Sequence, residues 1–244
     1  MSTGPAFERA WRKRFEGFAA HSDDEAGIAG WSRSGLEARV RRFEALWQAP
    51  APGQRWLDAG CGAGTYMRLL ERDGLEVIGV DYSLVTLCKA RARDADPRRY
   101  AVADIRRLPF TPGSFDGLLC FGVLQVMTDS TSVIEELCRQ VRPGGELWLD
   151  ALNRRCLVHS LDLVRRRLAG KPLHLRYEVP AALCRALRRA GMAEVSVHWM
   201  PILPARLQRW QRVLETRACL AALRHVPLAG LFGSHAFLVH ARKP

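Results

Sequence analysis

The 244-residue chain has no apolar run long enough to cross a bilayer: the longest lies around Leu118 to Leu124, and the opening MSTGPAFERAWRKRF lacks the apolar core of a secretory leader. A cytoplasmic protein is therefore expected. Its seven cysteines (Cys61, Cys88, Cys120, Cys138, Cys156, Cys184 and Cys219) lie at least 18 residues apart. That spacing excludes CxxC pairs, zinc ribbons and iron–sulfur motifs, so no metal is expected and the thiols read as buried side chains in a reducing compartment. Lysine is scarce, at four of 37 basic residues. Acidic residues are scarce in one region only. Residues 1–150 hold 20 basic and 21 acidic side chains, whereas residues 151–244 hold 17 and 4, so the last 94 residues account for the whole formal charge of +12. The alternatives for such a surface are an anionic partner, whether phosphate, carboxylate, lipid headgroup or nucleic acid, or a solvated basic face.

What is present is ordinary globular composition, 48% hydrophobic and 25% charged, without repeats or low-complexity linkers. Phe7, Trp11, Phe15 and Phe18 recur at helical spacing over residues 6–20, His21 to Gly30 reads as a loop, and a second helix is predicted at about Gly35 to Gln48. From Arg55 the pattern changes to short apolar runs at 55–59, 76–81, 99–103, 115–121 and 146–151, separated by helical segments at about 65–72, 84–92 and 130–141. This is the signature of βαβ units and a parallel sheet. Arg142-Pro143-Gly144-Gly145 reads as a helix stop and tight turn. Beyond Ala151 come a helix striped by Leu157, Val158, Leu161, Val164 and Leu168 and a helix beginning at Pro180. Strands are predicted at 194–200 and 236–241, enclosing a long helical pattern from Ala205 to His225. The chain order predicts an open, doubly wound α/β sheet finishing in a strand pair.

The strongest local signal is Asp58-Ala59-Gly60-Cys61-Gly62-Ala63-Gly64 at the end of the first strand. Gly-x-Gly-x-Gly lets a ligand approach the backbone, and it is one residue shorter than the turn that dinucleotide folds use for pyrophosphate. Asp81 ends the second strand, where a carboxylate would accept from a ribose diol, and Asp104 follows the third, where it would accept from an adenine amine. Each alone reads equally well as a helix cap; three together do not.

These segments resemble the class I S-adenosyl-L-methionine (SAM) dependent methyltransferases, in the broad type-11 group that includes quinone-biosynthesis C-methyltransferases and many small-molecule enzymes. LDAGCGAG at 57–64, VIGVDYS at 77–83, VADIRRLPF at 102–110, SFDGLLCFGVLQVM at 114–127 and VRPGGELWLD at 141–150 carry the resemblance. It implies a Rossmann-like, seven-stranded, mostly parallel sheet with helices on both faces, the last strand running antiparallel between the fifth and sixth. It also implies SAM as cofactor. Gly60, Gly62 and Gly64 would pack against its methionine part, with Asp58 near the amino group and Asp81 on the ribose. Asp104 and Ile105 would bind the adenine, Tyr82 would lie against that ring, and Phe121 and Gly122 would line the pocket near the sulfonium.

Many relatives carry a histidine after the fourth strand; here the stretch contains Gln125, which cannot act as a base. His159 and Tyr177, in the region where relatives build the acceptor pocket, are the catalytic candidates, against the commoner reading of isolated histidines as surface or core-edge residues. Arg176 is a candidate partner for an acidic acceptor. The expected organisation is one domain over 1–244: a helical lid at 1–50, a SAM-binding core at 51–151, and acceptor-side helices with the final strand pair at 152–244. The expected partner is a small-molecule or lipid-like acceptor, anionic on the charge argument. Peripheral membrane contact is a second expectation, because Leu203, Leu207, Trp210 and Leu214 stand beside Arg206, Arg209, Arg212 and Arg217. Nucleic acid is disfavoured, since neither an Asn-Pro-Pro-Tyr nor a Pro-Cys motif occurs. RNA methylation and non-catalytic SAM sensing are the competing functions.

Overall fold

The computed structural model describes residues 5–94, 96–172, 174–203, 205–226 and 228–244, without the side chains of residues 5, 205 and 206. Three helices come first: α1 (Pro5–His21), α2 (Glu25–Ile28) and α3 (Arg33–Glu44). Alternation follows, with β1 (Arg55–Ala59), α4 (Thr65–Arg72), β2 (Glu76–Asp81), α5 (Leu84–Arg91), β3 (Tyr100–Val102), β4 (Phe115–Cys120), α6 (Ser130–Gln140) and β5 (Val141–Leu152). The remainder is α7 (Leu157–Leu168), α8 (Pro180–Arg189), β6 (Ala193–Met200), α9 (Gln211–Leu214), α10 (Arg217–His225), α11 (Ala229–Gly233) and β7 (Ala236–Arg242).

One seven-stranded sheet has the order β3-β2-β1-β4-β5-β7-β6. The first five strands are parallel, and β7 runs antiparallel to both β5 and β6, as the sequence led us to expect. Neighbouring residues along each central strand divide between two cores. Leu57, Leu118 and Leu147 face α6 and α8 through Leu137, Leu183 and Leu187. Trp56, Leu119 and Trp148 face α3, α4 and α5 through Phe43, Met67 and Leu87. Burial on both faces is why these strands read as continuous apolar runs rather than as alternating ones.

Three local expectations differ. The segment His21 to Gly30 contains α2, started by Asp24, whose carboxylate accepts from Gly27 N at 2.8 Å. The pattern from 205 to 225 is not one helix but a 3₁₀ segment, α9 and α10, because the Thr216 hydroxyl accepts from Cys219 N and begins a new helix. Arg142 to Gly145 lies inside β5 rather than in a turn: Gly144 N donates to Lys243 O and Lys243 N to Gly145 O, both at 2.9 Å. The apolar stripe of α7 faces solvent, with His159 the only buried residue of that helix. Among the described residues no helix is long and apolar enough to cross a membrane.

Candidate active site

The C-terminal ends of β1, β2, β3 and β4 open onto a cavity of about 300 Å³, roofed by α1. At its floor the chain turns sharply after β1, with φ of +87° at Gly60, +52° at Gly62 and +77° at Gly64. Gly60 N and Cys61 N donate to Val80 O at 2.8 and 3.0 Å, which pins the turn to β2. A Cβ on Gly60 would stand 2.3 Å from Val123 Cγ2, so only glycine lets the two loops meet.

Asp81 joins the β1 and β2 loops. One carboxylate oxygen accepts from Gly62 N at 3.1 Å and the other from Ser83 N at 2.9 Å. Burial raises its pKa against those N–H donors. Asp58 is more constrained: it is 2% exposed and its Oδ2 is buried without a hydrogen-bond partner. Burial, then the charge of Asp81, push its pKa up to about 7, with Arg68 opposing. A buried carboxylate with an unpaired oxygen lacks a cationic or donor partner.

The other two carboxylates form a clasp across the mouth. Asp104 accepts from Arg106 Nε at 3.0 Å and Nη2 at 2.6 Å, and this lowers its pKa. Arg106 Nη1 also donates to Glu8 of α1 at 2.8 Å, while the other Glu8 oxygen accepts from Thr128 N at 2.7 Å and from the Thr128 hydroxyl. Trp11 Nε1 donates to His174 O at 2.8 Å. Helix α1 is thereby tied to both rims. Beneath it the Tyr82 ring lies under the Arg12 guanidinium, 4.9 Å from its carbon, and the Tyr82 hydroxyl is buried without a partner.

The opposite wall is aromatic and rests on a buried ion pair. Gly122 N donates to Asp150 Oδ1 at 2.6 Å, and Arg39 Nε donates to Asp150 Oδ2 at 3.2 Å. The Arg39 guanidinium stacks 4.1 Å over Trp31, whose ring would lie 2.4 Å from a Cβ on Gly122.

Of the sequence-predicted cofactor residues, Gly60, Gly62, Asp81, Tyr82, Asp104, Ile105, Phe121 and Gly122 line the cavity; Asp58 and Gly64, at the base of the glycine turn, are not among its lining residues. His159 and Tyr177 come together, ring centroids 4.6 Å apart, but neither is a lining residue. His159 Nδ1 donates to Asn153 O at 2.8 Å, and burial lowers its pKa. The stripe proposed at 203–214 is broken up: Leu203 precedes the 3₁₀ segment that holds Leu207 and Trp210, Leu214 falls in α9, and the side chain of Arg206 lies outside the described residues. Sequence reasoning missed Trp31, Leu36, Tyr66 and Met127, which also line the cavity, and the supports Glu8, Arg39 and Asp150. Only Tyr66, in the first turn after the glycine loop, carried a local signal.

A family model described as a methyltransferase domain matches residues 57–149. A ubiquinone biosynthesis O-methyltransferase of Xanthomonas euvesicatoria pv. vesicatoria is 32% identical over 166 residues, covering 63% of this chain and 69% of that relative. A demethylmenaquinone methyltransferase of Beutenbergia cavernae is 32% identical over 117 residues, covering 48% of this chain and 45% of that one. The structure of magnesium protoporphyrin IX methyltransferase from Synechocystis PCC 6803 with bound S-adenosylhomocysteine (SAH) shares the fold, with a TM-score of 0.64 at 14% identity over 98% of this chain and all of that one.

Proposed function

The chain belongs to the class I SAM-dependent methyltransferases, and from that premise we propose that it methylates a small, lipid-like, quinone-type acceptor entering beside Trp31. The observation that carries this reading is the division of one cavity into a carboxylate-bearing floor and an apolar wall of Trp11, Phe15, Trp31, Leu36, Val126 and Met127. The acceptor class agrees with those named for the ubiquinone and demethylmenaquinone relatives. Arg9 and Arg12 at the same cavity would receive an anionic group on the acceptor. On this reading residues 1–50 form the lid, 51–151 the cofactor core and 152–244 the acceptor side of one domain. The seven free thiols suit a cytoplasmic site of action, and contact with a membrane surface would supply a lipid-like acceptor.

The residues fit SAM on the orphaned atoms of the floor. An ammonium group would neutralise Asp58, whose Oδ2 has no partner, and the strand-end carboxylate of Asp81 retains lone pairs for a ribose diol. Tyr82 and Ile105 would flank the adenine, and its amine would share Asp104 with Arg106. Gly60, Gly62 and Gly64 would admit the methionine part, and Phe121 and Gly122 would border the reactive end.

When bound, SAM would supply a methyl carbon on a sulfonium: an acceptor electron pair would bond to that carbon in line as the S–C bond breaks, and the sulfur would keep the pair as the neutral thioether of SAH. The protein's part is alignment and exclusion of water: Trp31 seats against Gly122, and the Glu8–Arg106–Asp104 clasp closes α1 over the floor. Gln125 supplies no base. His159 and Tyr177 are the proposed acid–base groups on the acceptor side. His159 is held neutral by burial, with Nε2 left as its acceptor because Nδ1 donates to Asn153.

The test is SAH binding followed by product identification. SAH raises the thermal midpoint of the wild type by linkage, and Asp81→Ala abolishes the shift. Incubation of cell extract with methyl-labelled SAM then places label in a small organic-soluble molecule, identified by mass. An unshifted wild type, or label confined to RNA, refutes the proposal.

A further inference from the structure

We propose that α7 is an interfacial helix that seats the protein on an anionic lipid bilayer, with the cavity rim at the lipid surface. Leu157, Val158, Leu161, Val164 and Leu168 are 59%, 62%, 58%, 56% and 83% exposed. At about 100° per residue, Leu157, Leu161, Val164 and Leu168 fall within an arc of about 60°, with Arg165 on one side and Arg167 on the other. The face turned to the protein is the polar one. It carries buried His159 on Asn153 O and the half-buried pair Arg166 Nε–Asp162 Oδ2 at 2.8 Å. This inverts the ordinary amphipathic helix, and nothing among the described residues covers the apolar side. The same base carries more apolar surface: Asn153 Nδ2 donates to Leu231 O of α11, where Phe232 is 38% exposed and the preceding Leu228 is 61% exposed.

Charge selects the occupant. Arg154, Arg155, Arg165 and Arg167 are exposed and enter no ion pair among the described residues. A second copy meeting this face through a two-fold axis would set those arginines against themselves, whereas an anionic bilayer offers both the apolar interior and the counter-charge. Residues 174 and 176, after α7, contact the helix and loop that border the cavity. Arg176 N donates to Gln125 O at 2.7 Å, Arg176 Nη1 donates to Thr128 O at 2.6 Å, and His174 O accepts from Trp11. Delivery of acceptor from the bilayer rests on the lipid-like reading above; docking itself does not.

Flotation with vesicles of phosphatidylglycerol and phosphatidylcholine, against phosphatidylcholine alone, tests this. The wild type floats with the anionic vesicles and is released by salt. Leu161→Asp/Leu168→Asp and Arg165→Glu/Arg167→Glu each lower partitioning by roughly tenfold or more while SAH affinity stays unchanged. Equal binding to both vesicle types, wild-type partitioning in either variant, or a lipid-free dimer that Leu161→Asp/Leu168→Asp converts to monomer would overturn the proposal. Loss of SAH binding by wild type that still floats would count against the methyltransferase site and leave the docking helix standing.

Discussion

Replacing Asp58 by Asn should stabilise the ligand-free protein at high pH while weakening the ligand it serves. In the unfolded chain this carboxyl titrates near 3.8; in the folded protein burial and the charge of Asp81 carry it to about 7. A folded-state pKa above the unfolded one means that the native state holds the proton more tightly. The group's contribution to stability is thus complete below pH 3.8 and is lost as the pH rises to about 7. At 1.36 kcal/mol per pH unit, the whole interval amounts to about 4 kcal/mol, and the part between pH 5 and pH 7 to about 3 kcal/mol. An amide does not titrate there, and the cost of burying it is the same at both pH values. The stability of Asp58→Asn relative to wild type, measured by urea unfolding without ligand, should therefore rise by about 3 kcal/mol between pH 5 and pH 8. Calorimetry with SAH should show weaker binding to the variant at pH 8. In wild type at pH 6 binding should release protons, read from the dependence of heat on buffer, as the ammonium group draws Asp58 into its charged form. An equal stability difference at both pH values, or tighter SAH binding by the variant, would refute the assignment of Asp58 as a buried carboxylate awaiting a cation.

Two further variants probe the aromatic wall. Gly122→Ala places a Cβ 2.4 Å from the Trp31 ring at a φ of +76°; it should cost about 1–3 kcal/mol in denaturant unfolding and lower kcat/KM, with activity partly restored by Trp31→Ala. Arg39→Ala leaves Asp150 buried without its counter-charge, which should cost about 3–5 kcal/mol in urea unfolding at neutral pH. Adding Asp150→Asn should recover part of this, because a neutral amide oxygen still accepts from Gly122 N.

The placement of the residues at the cavity floor was legible because it is local. Glycines that must turn sharply, and carboxylates at the ends of apolar runs, sit at fixed offsets from their strands, so their places follow once the strands are found. The strand limits themselves were sharpest at β1 and β2, where burial on both faces leaves no ambiguity of period. The aromatic wall around Trp31 was not legible. Trp31 lies 91 residues from Gly122, and Arg39 lies 111 from its partner Asp150, in segments whose own patterns describe only a loop and a helix. The outward facing of α7 was not legible either, because helical periodicity reports that one face is apolar but not whether that face meets the core or the solvent.

Residue order alone determined the alternation of strands and helices, the glycine turn, the acidic strand ends and the confinement of the excess positive charge to the last 94 residues. Those features rest on backbone sterics, side-chain period and composition, all properties of short stretches. Tertiary structure decided which surfaces meet: that α1 closes over the floor through Glu8, that Trp31 seats against Gly122, that Asp58 is left with an unpaired oxygen, and that α7 turns its leucines outward. Contacts of this kind are selected by the packing of the whole chain, which no short stretch of sequence contains.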